Sequence, residues 1–221
     1  MRQTFATSAV AITLLLCPVA WGQGPGFGGK AEIFEPILVV DWAGFRSDSA
    51  EKSRLEVYYQ VFNFGLQFLP DGQEYVASYE ISAEVFDGDG DQVDLHERSR
   101  QVRVANLAQT KSRYDYRTSQ FSVDLAPGKY TVRVILTDNG SKAKVQREIK
   151  PSLRNFSSTE PQLSSLEFVQ SVSASADSGS VFTKADSTVI PSVSRAYGGD
   201  DNRPLNLFYE VYAGSDSTYK V

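Results

Sequence analysis

Three carboxylates at alternate positions, Asp87, Asp89 and Asp91, surround Gly88 and Gly90, and clustered oxygen donors of this kind are what calcium takes. A helix-flanked calcium loop would put glycine at its sixth position and a bidentate glutamate at its twelfth. Counted from Asp87, those positions hold Gln92 and Arg98. The metal candidate is therefore a non-helical calcium site, and the competing reading is a solvated hairpin turn built from Asp and Gly. Tyr114 and Tyr116 alternate with Arg113, Asp115 and Arg117. As an exposed strip they would offer aromatic rings and guanidinium groups to a sugar or a peptide. Aromatic packing between neighbouring strands gives the same spelling.

Other chemistry is limited by count. His96 is the only histidine, which removes histidine-rich zinc sites. It lies between Asp94 and Arg98 in an arginine-rich stretch, with no Gly-x-Ser-x-Gly elbow in the chain, and so reads as an exposed strand histidine rather than a catalytic base. Gly24, Gly29 and Lys30 have the spacing of a nucleotide-binding loop, but Ala31 stands where magnesium needs a hydroxyl and no strand precedes the glycines. Neither a catalytic constellation nor a cofactor is expected.

The elements that position these residues are strands. Ile37 to Trp42 is a continuous apolar run of the kind a doubly buried strand shows. Leu55, Val57, Tyr59 and Val61 alternate with Arg54, Glu56, Tyr58 and Gln60, and Tyr75 to Val85 alternates likewise. Because strand side chains point to opposite faces in turn, each pattern predicts one face in the core and one in water. Phe121 to Leu125, Tyr130 to Leu136 and Ala143 to Ile149 repeat the pattern, with Asp138, Asn139 and Gly140 predicting a tight hairpin turn between the last two. Residues Val93 to Leu107 read as a further strand pair or a ragged edge strand. Leu125, Pro127, Gly128 and Tyr130 resemble the tyrosine corner of immunoglobulin-like domains. The expected fold is all-β, an immunoglobulin-like antiparallel β-sandwich over 31–150. A linker over 151–161 and a second, incomplete β domain over 162–221 follow it.

Upstream, Arg2 precedes an uncharged stretch from Phe5 to Trp21 with its apolar heart at Ala9 to Leu16. This is the layout of a signal peptide over 1–22, with cleavage before Gln23 and a glycine-rich flexible leader over 23–30. A spanning helix would need roughly 20 apolar residues, and Thr7, Ser8, Thr13 and Pro18 interrupt the run. Cys17 raises lipid attachment as an alternative, although Leu16 stands where a lipoprotein signal has a small residue. It is the only cysteine, so cleavage leaves a mature chain without disulfides or thiolate metal sites. The whole chain has a net charge of −5, and loss of Arg2 makes the mature chain more acidic. That balance opposes nucleic acid as a partner. Asn139 and Asn155 begin Asn-x-Ser sequons, which matter only on a eukaryotic secretory route.

The layout resembles the amino-terminal portion of bacterial GWxTD-domain proteins, an exported and uncharacterised family. The signal, the Leu55 to Phe62 strand with Val57, Tyr58 and Tyr59, and Tyr75 to Asp87 carry the likeness. Leu125, Pro127, Gly128 and Tyr130 continue it, with Asp138, then Ile190, Pro191, Arg195, Tyr197 and Gly198, and finally Tyr209 to Tyr212. Trp21 and Trp42 are the only tryptophans and neither lies in the motif that names the family. In the family that motif lies nearer the carboxyl end, and the strand-like run from Tyr219 to Val221 suggests a chain cut before it. The resemblance carries no catalytic residue. The expected role is a non-enzymatic module in the periplasm, cell envelope or extracellular space, with a protein or envelope partner. The alternative is an accessory or carbohydrate-binding region of a larger exported enzyme. Amino-terminal sequencing of exported protein is expected to start at Gln23, and an intact Met1 would overturn the signal assignment.

Overall fold

The computed structural model describes residues 35–49, 51–158, 160–174, 179–195 and 205–212. The signal segment with Cys17, the glycine leader, Tyr197, Gly198 and the run from Tyr219 lie outside the described residues. No described helix is long and apolar enough to cross a membrane.

The alternating segments form strands β1 (Leu38–Arg46), β2 (Ser53–Phe62), β3 (Leu69–Asp71), β4 (Glu74–Phe86) and β5 (Gln92–Val104). A short helix α1 (Leu107–Thr110) leads to β6 (Tyr116–Leu125), β7 (Gly128–Lys129), β8 (Thr131–Asp138) and β9 (Lys144–Ile149). One sheet has the order β1-β2-β6 and the other β5-β4-β8-β9, with β3 beside the start of β4; the pairings are antiparallel. The chain crosses between the two sheets after β2, after β5 and after β6, and the protein is an all-β, immunoglobulin-like sandwich. Leu55, Val57, Tyr59 and Val61 of one sheet meet Ala77, Tyr79, Ile81, Ala83, Val85, Val132, Val134 and Leu136 of the other in one buried core. Each valine or leucine so buried contributes roughly 1.5–3 kcal/mol.

The tyrosine corner is present. Chain reversal after Leu125 brings the Tyr130 hydroxyl to the Ala126 carbonyl, to which it donates at 2.7 Å. The Tyr130 amide donates to Pro151 at 2.9 Å, and β7 pairs with β10 (Ser152–Leu153).

Several expectations change. Val93 to Leu107 is one edge strand and a helical turn, not a strand pair, because β5 runs the whole length of β4 with a bulge opposite Phe86. The β8–β9 hairpin forms, but the turn is wider than an Asn-Gly pair. Asp138 donates its amide to Ala143, and the left-handed residue is Lys142 at φ 63°, neither Asn139 nor Gly140. The buried Asp138 carboxylate accepts from the Ser141 amide at 2.9 Å and the Gln67 amide at 3.2 Å, which organises the longer loop. Parts of the segment 151–161 are packed. Pro151, Leu153 and Phe156 are buried in it, since its few apolar side chains outweigh its polar composition. Phe156 packs edge-on against Tyr212 at 5.2 Å.

Beyond it lie β11 (Gln162–Leu163), β12 (Glu167–Ser173), β13 (Thr183–Lys184), β14 (Ser187–Pro191), β15 (Asn206–Phe208) and β16 (Val211–Tyr212). They form a small sheet of order β13-β14-β12-β15 and a two-stranded β11-β16 pair. The small sheet packs on the outer face of β1-β2. Ala43, Phe45 and Tyr58 share a second buried cluster with Val193, flanked by Val39 and Phe208. The polar face of β2 is consequently buried, not in water as its alternation implied: Glu56, Tyr58 and Gln60 are 5%, 1% and 3% exposed.

Tyr130→Phe removes one hydroxyl bond and nothing else. It is expected to cost about 1 kcal/mol, read as a lower urea midpoint at unchanged slope.

Candidate functional site

The cluster under the small sheet contains the described residues with the most reactive combination of types. Glu56 and Tyr58 point the same way from β2, two residues apart, because strand side chains alternate. Glu167 opens β12, and Lys184 ends β13 beside a two-residue turn in which Ala185 is left-handed at φ 47°. This tight hairpin presses Lys184 against the sandwich. Lys184 Nζ donates to Glu167 Oε2 at 2.6 Å, Glu56 Oε2 at 2.7 Å and the Tyr58 hydroxyl at 3.3 Å. Tyr58 in turn donates to Glu56 Oε2 at 2.8 Å.

The three charged side chains are almost wholly removed from water, at 5% exposure for Lys184, 7% for Glu56 and 2% for Glu167. Aromatic rings complete the enclosure, with Phe45 centred 3.8 Å and Phe208 5.1 Å from Nζ. The negative faces of such rings favour the cation. Burial pushes the Glu167 carboxyl above its ordinary value, and Lys184 only partly opposes that shift. Burial, reinforced by Glu56 and Glu167, holds the Tyr58 phenol well above its usual range. Glu167 Oε1 is buried with no hydrogen-bond partner among the described residues. An amine held between two carboxyl groups can exchange protons with both, and among the described residues little of their surface meets solvent.

Around this cluster the chain beyond β10 is tied to β1 by polar contacts. Ser165 exchanges bonds with Gly44, its amide donating to the Gly44 carbonyl at 2.9 Å and its hydroxyl accepting from the Gly44 amide at 3.0 Å. Arg195 forms a two-pronged pair with Asp41 at 2.7 and 2.6 Å. The Tyr212 hydroxyl accepts from the Arg46 amide at 2.7 Å.

The residues singled out from the sequence are placed elsewhere. Asp87, Asp89 and Asp91 form the β4–β5 turn, where Asp87 Oδ1 accepts from the amides of Asp89 and Asp91, both at 3.0 Å. Gly90 adopts φ 92°, which glycine supplies without strain. One oxygen of the Asp87 carboxylate is thus engaged by its own turn. Among the described residues no group of three or more carboxylate, histidine or cysteine side chains is placed to hold a metal. Tyr114 and Tyr116 have different surroundings. Tyr116 lies opposite Phe62 in β2, ring centroids 5.5 Å apart, while Tyr114 precedes the strand and is 90% exposed. His96 faces inward, half-buried over Phe121 at 4.8 Å, with Nε2 2.9 Å from Asp94. It helps line a cavity of about 10 Å³ with Tyr59, Arg98 and Phe121, a volume suited to about one water. The buried Tyr59 hydroxyl has no partner among the described residues.

Sequence reasoning missed Lys184, Glu56 and Glu167. The one available signal was Tyr58, a large aromatic on an otherwise polar strand face.

No protein-family model and no curated protein matches the chain. Among solved structures, a Bacteroides uniformis beta-glucuronidase aligns at 15% identity and TM-score 0.34, covering 57% of this chain and 13% of that chain. A calcium-binding mutant of Bacteroides uniformis beta-glucuronidase 2 gives the same figures. A Bacteroides fragilis protein assigned as a beta-galactosidase aligns at 18% identity and TM-score 0.32, over 51% of this chain and 15% of that one. The chain therefore spans a small fraction of the length of each.

Lys184→Met leaves Glu56 and Glu167 facing each other without a cation. Breaking a buried ion pair from one side costs about 3–5 kcal/mol, so a large drop in urea midpoint is expected. Asp87→Ala, lacking only turn bonds, is expected to cost about 1 kcal/mol. Millimolar calcium is expected to leave the melting midpoint of the unaltered protein unchanged.

Proposed function

We propose that this chain is an exported, non-enzymatic β module that serves as a structural or interaction element of the cell envelope. The observation that carries the reading is the use to which the reactive side chains are put. The Lys184 ammonium engages Glu56, Glu167 and Tyr58 with all three of its protons. The cluster joins one sheet to another instead of facing a substrate. A lock of this kind suits a part whose task is to hold shape and present surfaces. The cysteine-free mature sequence and the resemblance to GWxTD-domain proteins support the same reading.

The test is expression of the whole precursor in a bacterial host, followed by fractionation and chemical crosslinking. Processed protein in the envelope fraction, crosslinked to an envelope component, is the expected result. Unprocessed protein confined to the cytoplasm would overturn the reading, as would turnover of a substrate by the purified chain.

A further inference from the structure

The same cluster has the composition and geometry for a covalent reaction between its own members. We propose that Lys184 and Glu167 condense to an intramolecular amide, with Glu56 relaying the protons. The inference stands independently of the envelope role.

Each reactant is in place. Lys184 Nζ touches Oε2 of Glu167 at 2.6 Å and Oε2 of Glu56 at 2.7 Å. The three side chains are almost fully enclosed, among the rings of Phe45, Tyr58 and Phe208. Holding amine and acid in contact replaces a bimolecular encounter by an intramolecular one, a large kinetic advantage. Exclusion of water favours condensation over the reverse hydrolysis and favours neutral reactants over ions.

The two glutamates have different surroundings, which assigns their roles. Glu56 Oε2 accepts from Tyr58 as well as from Lys184, the arrangement of an oriented carboxylate base. Glu167 is pushed by burial toward its protonated form, and its Oε1 has no hydrogen-bond partner among the described residues. With one oxygen held by Lys184 and the other without a hydrogen-bond partner among the described residues, Glu167 is the electrophile of the pair.

In the reaction, Lys184 passes one proton to Glu56 and becomes a neutral amine. The Nζ lone pair attacks Cδ of Glu167, forming the C–N bond. The C–OH bond then breaks, and the hydroxyl leaves as water with a second Nζ proton delivered through Glu56. One Nζ proton stays on the amide and one remains on Glu56. Nothing is oxidised or reduced, and no further reactant is needed. The product is a ring closed between β12 and the end of β13. It would staple a protein whose only cysteine is Cys17.

The experiment is mass spectrometry of the purified whole chain under denaturing conditions. The expected mass lies below that of the processed sequence by one water, about 18 Da. Trypsin is expected to leave the bond after Lys184 uncut, giving a single 155–195 peptide lighter by one water, because Arg154, Lys184 and Arg195 are the consecutive cleavage sites. Lys184→Arg is expected to restore the full mass. Glu56→Gln, which preserves shape and removes the relay, is expected to restore it with native circular dichroism. Full mass and normal cleavage after Lys184 in the unaltered protein would overturn the proposal. So would a crosslink to Glu56, or water loss persisting in Glu56→Gln.

Discussion

An ammonium group taken out of water must find its acceptors wherever it is buried, and the position of Lys184 between two sheets makes this the governing constraint. Its partners come from separate parts of the chain: Glu56 and Tyr58 on β2, and Glu167 on β12. Each bond has a direction and a length, so the small sheet has one favourable setting against the sandwich. Apolar packing of Phe45, Ala43 and Val193 supplies area at the same junction, and such packing tolerates sliding more readily than a three-way hydrogen-bonded ion cluster. Buried ion pairs are poor sources of net stability, because desolvation offsets attraction. Here the geometry indicates that the cluster sets the register of docking while the surrounding rings provide the adhesion.

This arrangement accounts for other parts of the molecule. One edge of β1 would be open to pairing with another chain, a hazard for any exposed strand. Ser165 bonds to Gly44 there, and Arg195 clamps Asp41 nearby. The approach to the small sheet is thus itself part of the docking, which explains why 151–161 packs despite its polar composition. The edge strands β5 and β9 are left to charge. Glu97, Arg100 and Arg103 are exposed on one, and Lys144, Arg147 and Glu148 on the other. Charged side chains along an edge oppose pairing with a second sheet.

The sandwich was legible in the sequence because β2, β4, β6, β8 and β9 show alternation with a period of two, and that period indicates which of their residues meet in the core. Tyr130 was legible for a local reason, since Pro127 and Gly128 announce the reversal that brings its hydroxyl back to Ala126. The docking was not. On β2, Arg54, Glu56, Tyr58 and Gln60 spell a solvent face, and a charged residue looks the same in sequence whether water or Lys184 is its partner. Lys184 lies 128 positions from Glu56, beyond any local pattern. At the Asp87 turn the spacing of the carboxylates was legible but their partners were not, since a sequence does not show that the amides of Asp89 and Asp91 both bond to Asp87 Oδ1.

The enclosure of the Lys184 cluster also separates two meanings of reactivity. Catalysis on a diffusing substrate needs reactive groups beside an accessible space, whereas a reaction among the protein's own side chains needs them beside one another and away from water. Glu56, Glu167 and Lys184 meet the second requirement, because the docked sheet that creates their contact also removes nearly all of their surface from water. The same contact gives the cluster structural value whether it is ionic or covalent. As ions it selects one docked arrangement. As an amide it would keep the ends of the 167–184 loop together even when the sheet loosens. Cys17 is the only cysteine, so no disulfide can form within the chain, and that makes the distinction consequential: a covalent restraint within the fold would have to come from other side chains, as an amide between Lys184 and Glu167 would.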